Sequence, residues 1–139
     1  CNVKIIKDKI SLDNFDILNI EDYDYVVDAC DTIEVKKEII RRCLQYKIKF
    51  ISCMGTGNKL DPTKLEIVDV RKTSYDPIAK KIRKMIKDEK INGKVMVVCS
   101  DETPIKTEKL GSTSFVPSVA GLLCTSYIIN DILKNEKDN

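Results

Sequence analysis

The order of three predicted elements constrains the fold of this chain more than any other sequence feature. Apolar, β-rich residues at 23–29 are followed by an amphipathic helix pattern at 32–46 and by a second apolar run at 47–53. A strand, a helix and a strand joined by short connections predict two parallel strands with the helix as their crossover. We therefore expect an α/β protein whose functional groups lie at the carboxyl ends of its strands.

The rest of the chain predicts further elements of both kinds. Additional strand patterns lie at residues 3–6, 65–70 and 94–99. Residues 7–21 are expected to be a connecting segment. One amphipathic helix is expected over residues 77–88, and a helix that is apolar on every side is expected over residues 117–133. A helix of the second kind is either buried or covered by a partner chain. The charged residues 136–139 are expected to fray.

Composition excludes several classes of function. The chain has 139 residues, of which 33% are charged and 42% hydrophobic, as is ordinary for a soluble globular protein. Its 24 basic and 22 acidic residues nearly cancel, so overall charge does not indicate a nucleic-acid-binding protein. Histidine is absent, which excludes a Ser-His-Asp triad, a Cys-His pair and a His-ligated metal site within these residues.

The six cysteines indicate a reducing compartment rather than a disulfide framework. They lie inside apolar runs and no two are spaced as C-x-x-C, so buried free thiols in the cytoplasm are expected and a zinc knuckle is not. Cys43, Cys99 and Cys124 are expected in the core. Cys30 and Cys53 end strands, but without a neighbouring histidine neither is expected to be a catalytic nucleophile.

The longest apolar stretch, residues 115–129, bears on membrane association. It contains Pro117, Gly121 and several hydroxyl groups. We expect it to be too short and too interrupted to cross a membrane, and we expect no membrane partner.

Acidic residues lie at the carboxyl end of the strand predicted at 23–29, which is the position where parallel sheets bind ligands. The sequence there is Asp28-Ala29-Cys30-Asp31. A carboxylate at this position can hold Mg²⁺ on the phosphates of a nucleotide, because Mg²⁺ takes one or two carboxylates together with phosphate oxygens. The alternative is that Asp31 only caps the following helix, and spacing alone favours this alternative.

Three other features are candidates for a site. Gly55-Thr56-Gly57 ends the second strand, where it either cradles phosphate or forms a turn with positive φ. Ser100-Asp101-Glu102 follows a later strand, where it either lines a pocket or begins a loop. Cations on the helix at 77–88 either contact RNA phosphates or form a solvated face. They are Lys80, Lys81, Arg83, Lys84 and Lys87.

The order of these motifs resembles the ThiF/MoeB/HesA superfamily of ATP-dependent adenylating enzymes. The resemblance begins with residues 24–31, Lys36 on the helix and the strand that ends in Gly55-Thr56-Gly57. The motifs that follow are similar to those of the TcdA (CsdL) branch, the tRNA threonylcarbamoyladenosine dehydratases. They include Leu60-Asp61-Pro62-Thr63, Val68-Asp69-Val70, Asp76-Pro77, Val98-Cys99-Ser100 and Phe115-Val116-Pro117.

The resemblance implies a three-layer, Rossmann-like fold with a mixed sheet, parallel in its first part and antiparallel in its later strands. Residues 1–139 match the C-terminal part of a single adenylating domain, beginning after the glycine-rich nucleotide loop. No complete G-x-G-x-x-G or Walker A loop occurs in the chain, and its first residue is Cys1 in an apparent strand. We therefore expect a fragment that alone neither binds ATP well nor turns over.

The resemblance also implies a chemistry. ATP would adenylate the carboxylate of threonylcarbamoyladenosine in tRNA, and the activated acyl group would then cyclise and release AMP. Asp31 would be the catalytic residue and would bind Mg²⁺ with ATP. Ala29 and Cys30 would approach the nucleotide through their backbone, and Lys36 would belong to the same cofactor site. The candidate tRNA contacts are Lys80, Lys81, Arg83 and Lys84.

Partners follow from the same resemblance. Family members pair, and the helix at 117–133 is apolar on all sides, so we expect a homodimer. Proteins of the cysteine-desulfurase system are candidate partners, and a monovalent cation is a further candidate ligand.

Three other functions stay open. One is adenylation of a ubiquitin-like sulfur-carrier protein, but residues 71–77 lack the cysteine of that branch and the chain lacks its C-x-x-C zinc pairs, which favours the dehydratase. Another is a non-catalytic module for dimerisation or RNA docking. The weakest is half of a nicotinamide dehydrogenase, because the G-x-G-x-x-G loop is absent.

Overall fold

Four strands form one mixed sheet with the order β1-β2-β4-β3. The structure, a computed structural model, describes residues 1–137. The strands are β1 (Tyr25–Asp28), β2 (Lys49–Cys53), β3 (Leu65–Asp69) and β4 (Met96–Ser100). β1, β2 and β4 run parallel, and β3 pairs antiparallel with β4. The predicted α/β class and mixed sheet are therefore confirmed.

Helices cover both faces of this sheet. They are α1 (Ile33–Gln45), α2 (Pro77–Asp88) and α3 (Phe115–Lys137). α1 and α2 share one core with Phe50 of β2, while α3 packs on the other face against Ile51. Successive strand residues point to opposite faces, so neighbouring side chains of β2 enter different cores. The result is the expected three-layer arrangement.

The strand predicted at residues 3–6 is wrong. These residues belong to no sheet, and Val3 and Ile5 are 79% and 73% exposed. An alternating apolar pattern becomes a strand only where a neighbouring strand pairs with its backbone, and the described residues offer none here. The connection predicted at 7–21 is found, but it contains the short 3₁₀ helices Phe15–Leu18 and Ile20–Asp22, the second of which runs just past it.

The last helix is longer than predicted. It begins at Phe115 rather than Pro117, and it continues to Lys137 rather than ending at Leu133. Pro117 lies in the first turn, where a missing backbone N–H interrupts no helical hydrogen bond. Residues 136 and 137 are therefore helical and not frayed, and residues 138–139 lie outside the described part of the chain.

This helix corrects a second expectation. Among the described residues, residues 115–136 of α3 form the one helix that is long and apolar enough to cross a membrane. The apolar stretch is thus neither too short nor interrupted. Length and composition are shared by membrane spans and by core helices of soluble proteins, so the absence of a membrane partner stays a prediction.

Candidate functional site

A buried ion pair fixes the carboxyl end of β1. Lys36 of α1 donates to Asp28 at 2.8 Å, to the Cys53 carbonyl at 2.9 Å and to the Ser52 hydroxyl at 3.3 Å. Asp28 also accepts from the Ser52 hydroxyl and from the backbone N–H of Cys30. One lysine and one aspartate thereby join β1, α1 and β2 at the edge of the sheet where parallel strands place their ligands.

This geometry gives Lys36 a positioning role. Its side chain is fully buried, and the three donors of its ammonium group match its three acceptors. The expectation that Lys36 contacts the cofactor stays a prediction, and such a contact would require it to leave one of these partners. The Cys30 N–H is likewise engaged, because it donates to Asp28 at 3.1 Å.

Asp31 is held at this edge with its carboxylate exposed. Within residues 1–137, no hydrogen bond or ion pair engages that carboxylate. α1 starts at Ile33, and its N-cap is Thr32, which makes no side-chain capping bond. The alternative that Asp31 caps the helix is therefore wrong, and its carboxylate is available to a ligand.

Asp31 lies on the wall of the main cleft. This cleft has a volume of about 510 Å³ and is open to solvent. Its walls come from four places: the end of β1, the loop after β2, the start of α2 and the loop before α3. The residues that line the cleft include Asp31, Gly55, Gly57, Lys59, Asp76 and Gly111.

The Gly55-Thr56-Gly57 loop lines this cleft, but not as a positive-φ turn. None of the chain's five glycines, all of which lie in the described residues, has a positive φ. Close packing constrains Gly55, which faces the buried Asp76, more than Gly57, whose neighbour Leu110 is exposed and can move. A Cβ on Gly55 would lie 2.9 Å from Asp76, and a Cβ on Gly57 would lie 2.5 Å from Leu110. A role in cradling phosphate stays a prediction.

A second buried ion pair forms the cleft wall behind Gly55. Lys59 donates to the Gly55 carbonyl at 2.9 Å and to Asp76 at 3.3 Å, and both charged side chains are 1% exposed. The other oxygen of Asp76 accepts from the Ala79 N–H and caps α2. Sequence reasoning identified Asp76-Pro77 only as the start of a helix, and it missed Lys59, for which the sequence offers no signal.

Backbone contacts join the opposite walls. The Asn58 N–H donates to the Gly111 carbonyl at 2.7 Å, and the Gly111 N–H donates to the Asn58 side chain at 2.8 Å. Glu102 accepts from the backbone N–H groups of Leu60 and Asp61. Ser100-Asp101-Glu102 is predicted either to line a pocket or to begin a loop. The structure favours the loop, because these residues do not line the cleft and Glu102 instead stabilises the loop after β2.

A smaller chamber of about 200 Å³ adjoins the cleft. Ala29, Cys30 and Asp31 line it, together with Cys53 of β2 and Cys124 of α3. Burial, followed by the nearby Asp28 carboxylate, raises the pKa of Cys30 to about 12. Cys30 is therefore a neutral thiol at physiological pH, consistent with the expectation that it is not a nucleophile. The predicted core positions of Cys43, Cys99 and Cys124 are confirmed.

The predicted cationic face of α2 is only partly free. Lys80, Lys81 and Lys84 are exposed. Arg83 is half-buried and donates to the carbonyl and hydroxyl oxygens of Thr73. Arg83 therefore attaches α2 to the segment before it, and the three lysines remain available to a partner.

The donor set fits Mg²⁺ only in the company of a phosphate. Among the described residues, no cluster of three or more histidine, cysteine or acidic side chains could hold a metal ion. Asp31 offers one free carboxylate with hard oxygen donors. Mg²⁺ is commonly held by one or two carboxylates plus substrate phosphates, so Asp31 is suited to a magnesium–nucleotide complex.

Comparisons with known proteins find curated relatives of this chain. The chain is 41% identical to the tRNA threonylcarbamoyladenosine dehydratase of Bacillus subtilis, over 81% of the chain and 52% of that protein. It is also 41% identical to the Haemophilus influenzae protein of the same name, over 64% of the chain and 34% of that protein. The chain thus spans about half the length, or less, of these curated relatives.

Solved structures match the whole chain. Escherichia coli TcdA in complex with ATP matches with a TM-score of 0.88 and 27% identity, covering 100% of this chain and 60% of that one. ATP-bound HcgE from Methanothermobacter marburgensis matches 94% of this chain and 60% of that one, with a TM-score of 0.66 and 21% identity, and shows the fold alone. The ThiF family profile matches residues 1–139. The chain belongs to the ThiF family.

Proposed function

We propose that the protein to which this chain belongs is an ATP-dependent tRNA threonylcarbamoyladenosine dehydratase. The observation that supports the proposal most strongly is the match of the whole chain to ATP-bound E. coli TcdA. In addition, Asp31 of this chain presents a free carboxylate to the main cleft. The relatives carrying the dehydratase name supply the substrate class.

In this proposal Asp31 holds Mg²⁺ on the phosphates of ATP. When bound there, the ion would supply positive charge that lessens the repulsion between the phosphates and the incoming carboxylate. The buried Asp28–Lys36 pair keeps the Asp31 backbone fixed at the strand end. The remaining nucleotide contacts are expected from parts of the protein other than these residues.

The cleft would receive the carboxylate-bearing side chain of the modified adenosine. Its volume of about 510 Å³ lies within the range of small-molecule sites. The Lys59–Asp76 pair and the Asn58–Gly111 contacts hold its walls in place. A fixed cleft next to Asp31 brings the carboxylate to the α-phosphate. A carboxylate oxygen would then attack the α-phosphorus, the bond to the β-phosphate would break, and pyrophosphate would leave. The acyl-adenylate so formed has AMP as its leaving group, and cyclisation would release AMP.

The tRNA would lie along α2 beside the cleft. Lys80, Lys81 and Lys84 are exposed on this helix, whose first residues border the cleft. Tyr75, two residues before the helix, is 65% exposed. Lysines can neutralise phosphates, and an exposed aromatic ring can stack on an unpaired base. This arrangement suits a single-stranded loop of RNA better than a duplex.

A homodimer is proposed from the outer face of α3. Its inner face packs on the sheet through Val116, Ala120 and Cys124, but its outer face presents an apolar stripe. The exposed apolar residues of this stripe are Phe115, Leu122, Ile129 and Leu133. Large exposed apolar patches mark interaction surfaces, and a second copy of the chain offers a complementary stripe. The expectation that this helix is either buried or covered by a partner chain is met within the chain on its inner face, and cover of the outer face is part of the proposal.

The experiment is a nucleoside analysis of tRNA. Full-length protein, ATP and Mg²⁺ are incubated with tRNA carrying threonylcarbamoyladenosine, and digested nucleosides are measured by mass spectrometry. The proposal predicts ATP-dependent loss of one water from that nucleoside and formation of AMP. Unchanged nucleoside, together with adenylation of a sulfur-carrier protein, would instead identify the other branch of the superfamily.

The remaining expectations stay proposals of the same kind. We propose a cytoplasmic location, where ATP and tRNA meet. Proteins of the cysteine-desulfurase system remain candidate partners, and a monovalent cation remains a candidate ligand. We further propose that residues 1–139 alone bind ATP weakly, which isothermal titration of this chain can measure.

A further inference from the structure

Three cysteines from distant parts of the sequence meet beside the cleft. Cys30 follows β1, Cys53 ends β2 and Cys124 lies on α3, and all three line the chamber of about 200 Å³. Asp31 and Thr56 border both this chamber and the main cleft. The thiols therefore lie in a chamber that shares part of its wall with the cleft.

Two of these thiols lie on the same face of the sheet. Cys124 belongs to the apolar cluster on the α3 face and Cys53 packs against that cluster, whereas Cys30 packs against the cluster on the other face. Cys124 is 2% exposed, whereas Cys53 is only partly buried. Cys53 is thus the more accessible thiol of the pair.

The environment of Cys53 favours its thiolate. Interaction with the neighbouring Cys124 side chain lowers the pKa of Cys53, and the Lys36 ammonium group acts in the same direction, against burial and the carboxylates of Asp28 and Asp76. The same interaction, followed by burial, raises the pKa of Cys124.

The other buried thiols behave differently. Burial raises the pKa of Cys43 to about 12 and that of Cys99 to about 11. Cys30, which shares the chamber, also has a pKa of about 12. Because the thiolate is the reactive form of cysteine, Cys53 is set apart from the buried Cys43 and Cys99 by both access and ionisation. It differs from the equally accessible Cys30 in ionisation and in packing against the cluster that contains Cys124.

We propose that Cys53 and Cys124 are a redox-active pair that hydrogen peroxide converts into an intramolecular disulfide. The Cys53 thiolate attacks one peroxide oxygen, the O–O bond breaks, and the departing hydroxide takes a proton to become water. This leaves a sulfenic acid on Cys53. The Cys124 sulfur then attacks the Cys53 sulfur, the S–O bond breaks, and hydroxide leaves as a second water with the Cys124 proton. Two thiols are oxidised and one peroxide is reduced.

The location gives this modification a consequence. The disulfide would tie the end of β2 to α3 across the chamber that Asp31 borders. β2 and α3, which are otherwise held together by packing, would become covalently joined next to the Asp31 carboxylate. The inference does not depend on the identity of the substrate.

The test is peroxide oxidation of the folded full-length protein. We expect a linkage between the peptides that contain Cys53 and Cys124, two fewer free thiols per chain, and recovery of both after dithiothreitol. A linkage between chains, a linkage that joins Cys30 to either partner, or no linkage while peroxide oxidises other cysteines would overturn the proposal.

Variants separate the two steps. In Cys124→Ser, dimedone should trap a sulfenic acid on Cys53 and no linkage should form. In Cys53→Ser, the rapid peroxide reaction should disappear. Cys43→Ala and Cys99→Ala are matched controls that should form the Cys53–Cys124 linkage at the wild-type rate. Equal oxidation of Cys53 and Cys43 in the wild type, rather than a preference for Cys53 of about tenfold or more, would also contradict it.

Discussion

Lys36 and Asp28 form an ion pair of 2.8 Å in which both side chains are fully buried. The pair joins the helix α1 to the strand end that presents Asp31, and it also contacts β2 through Ser52 and the Cys53 carbonyl. The free carboxylate of the candidate site therefore depends on a charged group that does not itself line the cleft.

Lys36→Met should destabilise the protein severely. It leaves the Asp28 carboxylate buried without its countercharge, which costs about 3–5 kcal/mol of unfolding free energy. Urea denaturation measures this change. Lys37→Met is the matched control, because Lys37 pairs with Glu34 on the surface and should change stability little. Equal effects of the two substitutions would contradict the structural role of Lys36.

Two glycine substitutions should have effects of opposite sign. Gly55→Ala places a Cβ 2.9 Å from Asp76, which disturbs the Lys59 contact and the cap of α2. We expect a loss of about 1–2 kcal/mol. Gly121→Ala meets no atom within 4 Å on an exposed part of α3. It should gain about 0.5–1 kcal/mol from helix propensity. Thermal unfolding distinguishes the two, and stabilisation by Gly55→Ala would refute the close packing.

Replacing Lys80, Lys81 and Lys84 together by alanine should weaken tRNA binding. Each phosphate contact contributes about 0.7–0.9 to the slope of log affinity against log salt concentration. The triple variant should therefore lose affinity at low salt and show a shallower slope. Lys134→Ala on the exposed end of α3 is the control. A tRNA affinity and slope equal to wild type in the triple variant would exclude α2 as the RNA surface.

Tyr75 should contribute through stacking on a base. The Asp76 N–H donates to the Ser74 carbonyl at 2.7 Å, and Tyr75 at the centre of this tight turn has φ 57°. Such turns are strained, and strain often accompanies function. Tyr75→Ala should weaken binding of an anticodon stem-loop about tenfold, while Tyr75→Phe should keep it. Equal losses in both variants would favour a role for the hydroxyl group instead.

The local elements of this fold could be predicted from sequence. The apolar runs and the helical spacing identify β1, α1, β2, α2 and β4 to within a few residues, because each element buries one face or lies between two cores. The strand at 3–6 failed because an alternating pattern does not reveal whether a neighbouring strand exists. The prediction for α3 is too short at both ends. Pro117 lies in its first turn rather than at its start, and the polar residues after Leu133 continue the helix.

The site was harder to predict than the fold. Asp31 could be identified from its position after β1. The sequence could not show that its side chain does not cap α1, since a cap depends on one side-chain rotamer. The buried pair of Lys59 and Asp76 joins residues from separate loops, and no local pattern records such a contact. The close approach of Gly55 to Asp76 has the same origin, because it is a property of tertiary packing rather than of the turn.

The most direct test of the proposed site compares Asp31→Asn with Asp101→Asn in the full-length protein. Both aspartates are exposed and follow strands, but only Asp31 lines the cleft. We predict that Asp31→Asn lowers kcat/KM for ATP-dependent dehydration of threonylcarbamoyladenosine in tRNA by about 100-fold or more with an unchanged Tm, and that Asp101→Asn keeps wild-type activity. Wild-type activity in Asp31→Asn would contradict the assignment of this carboxylate to the magnesium–ATP complex.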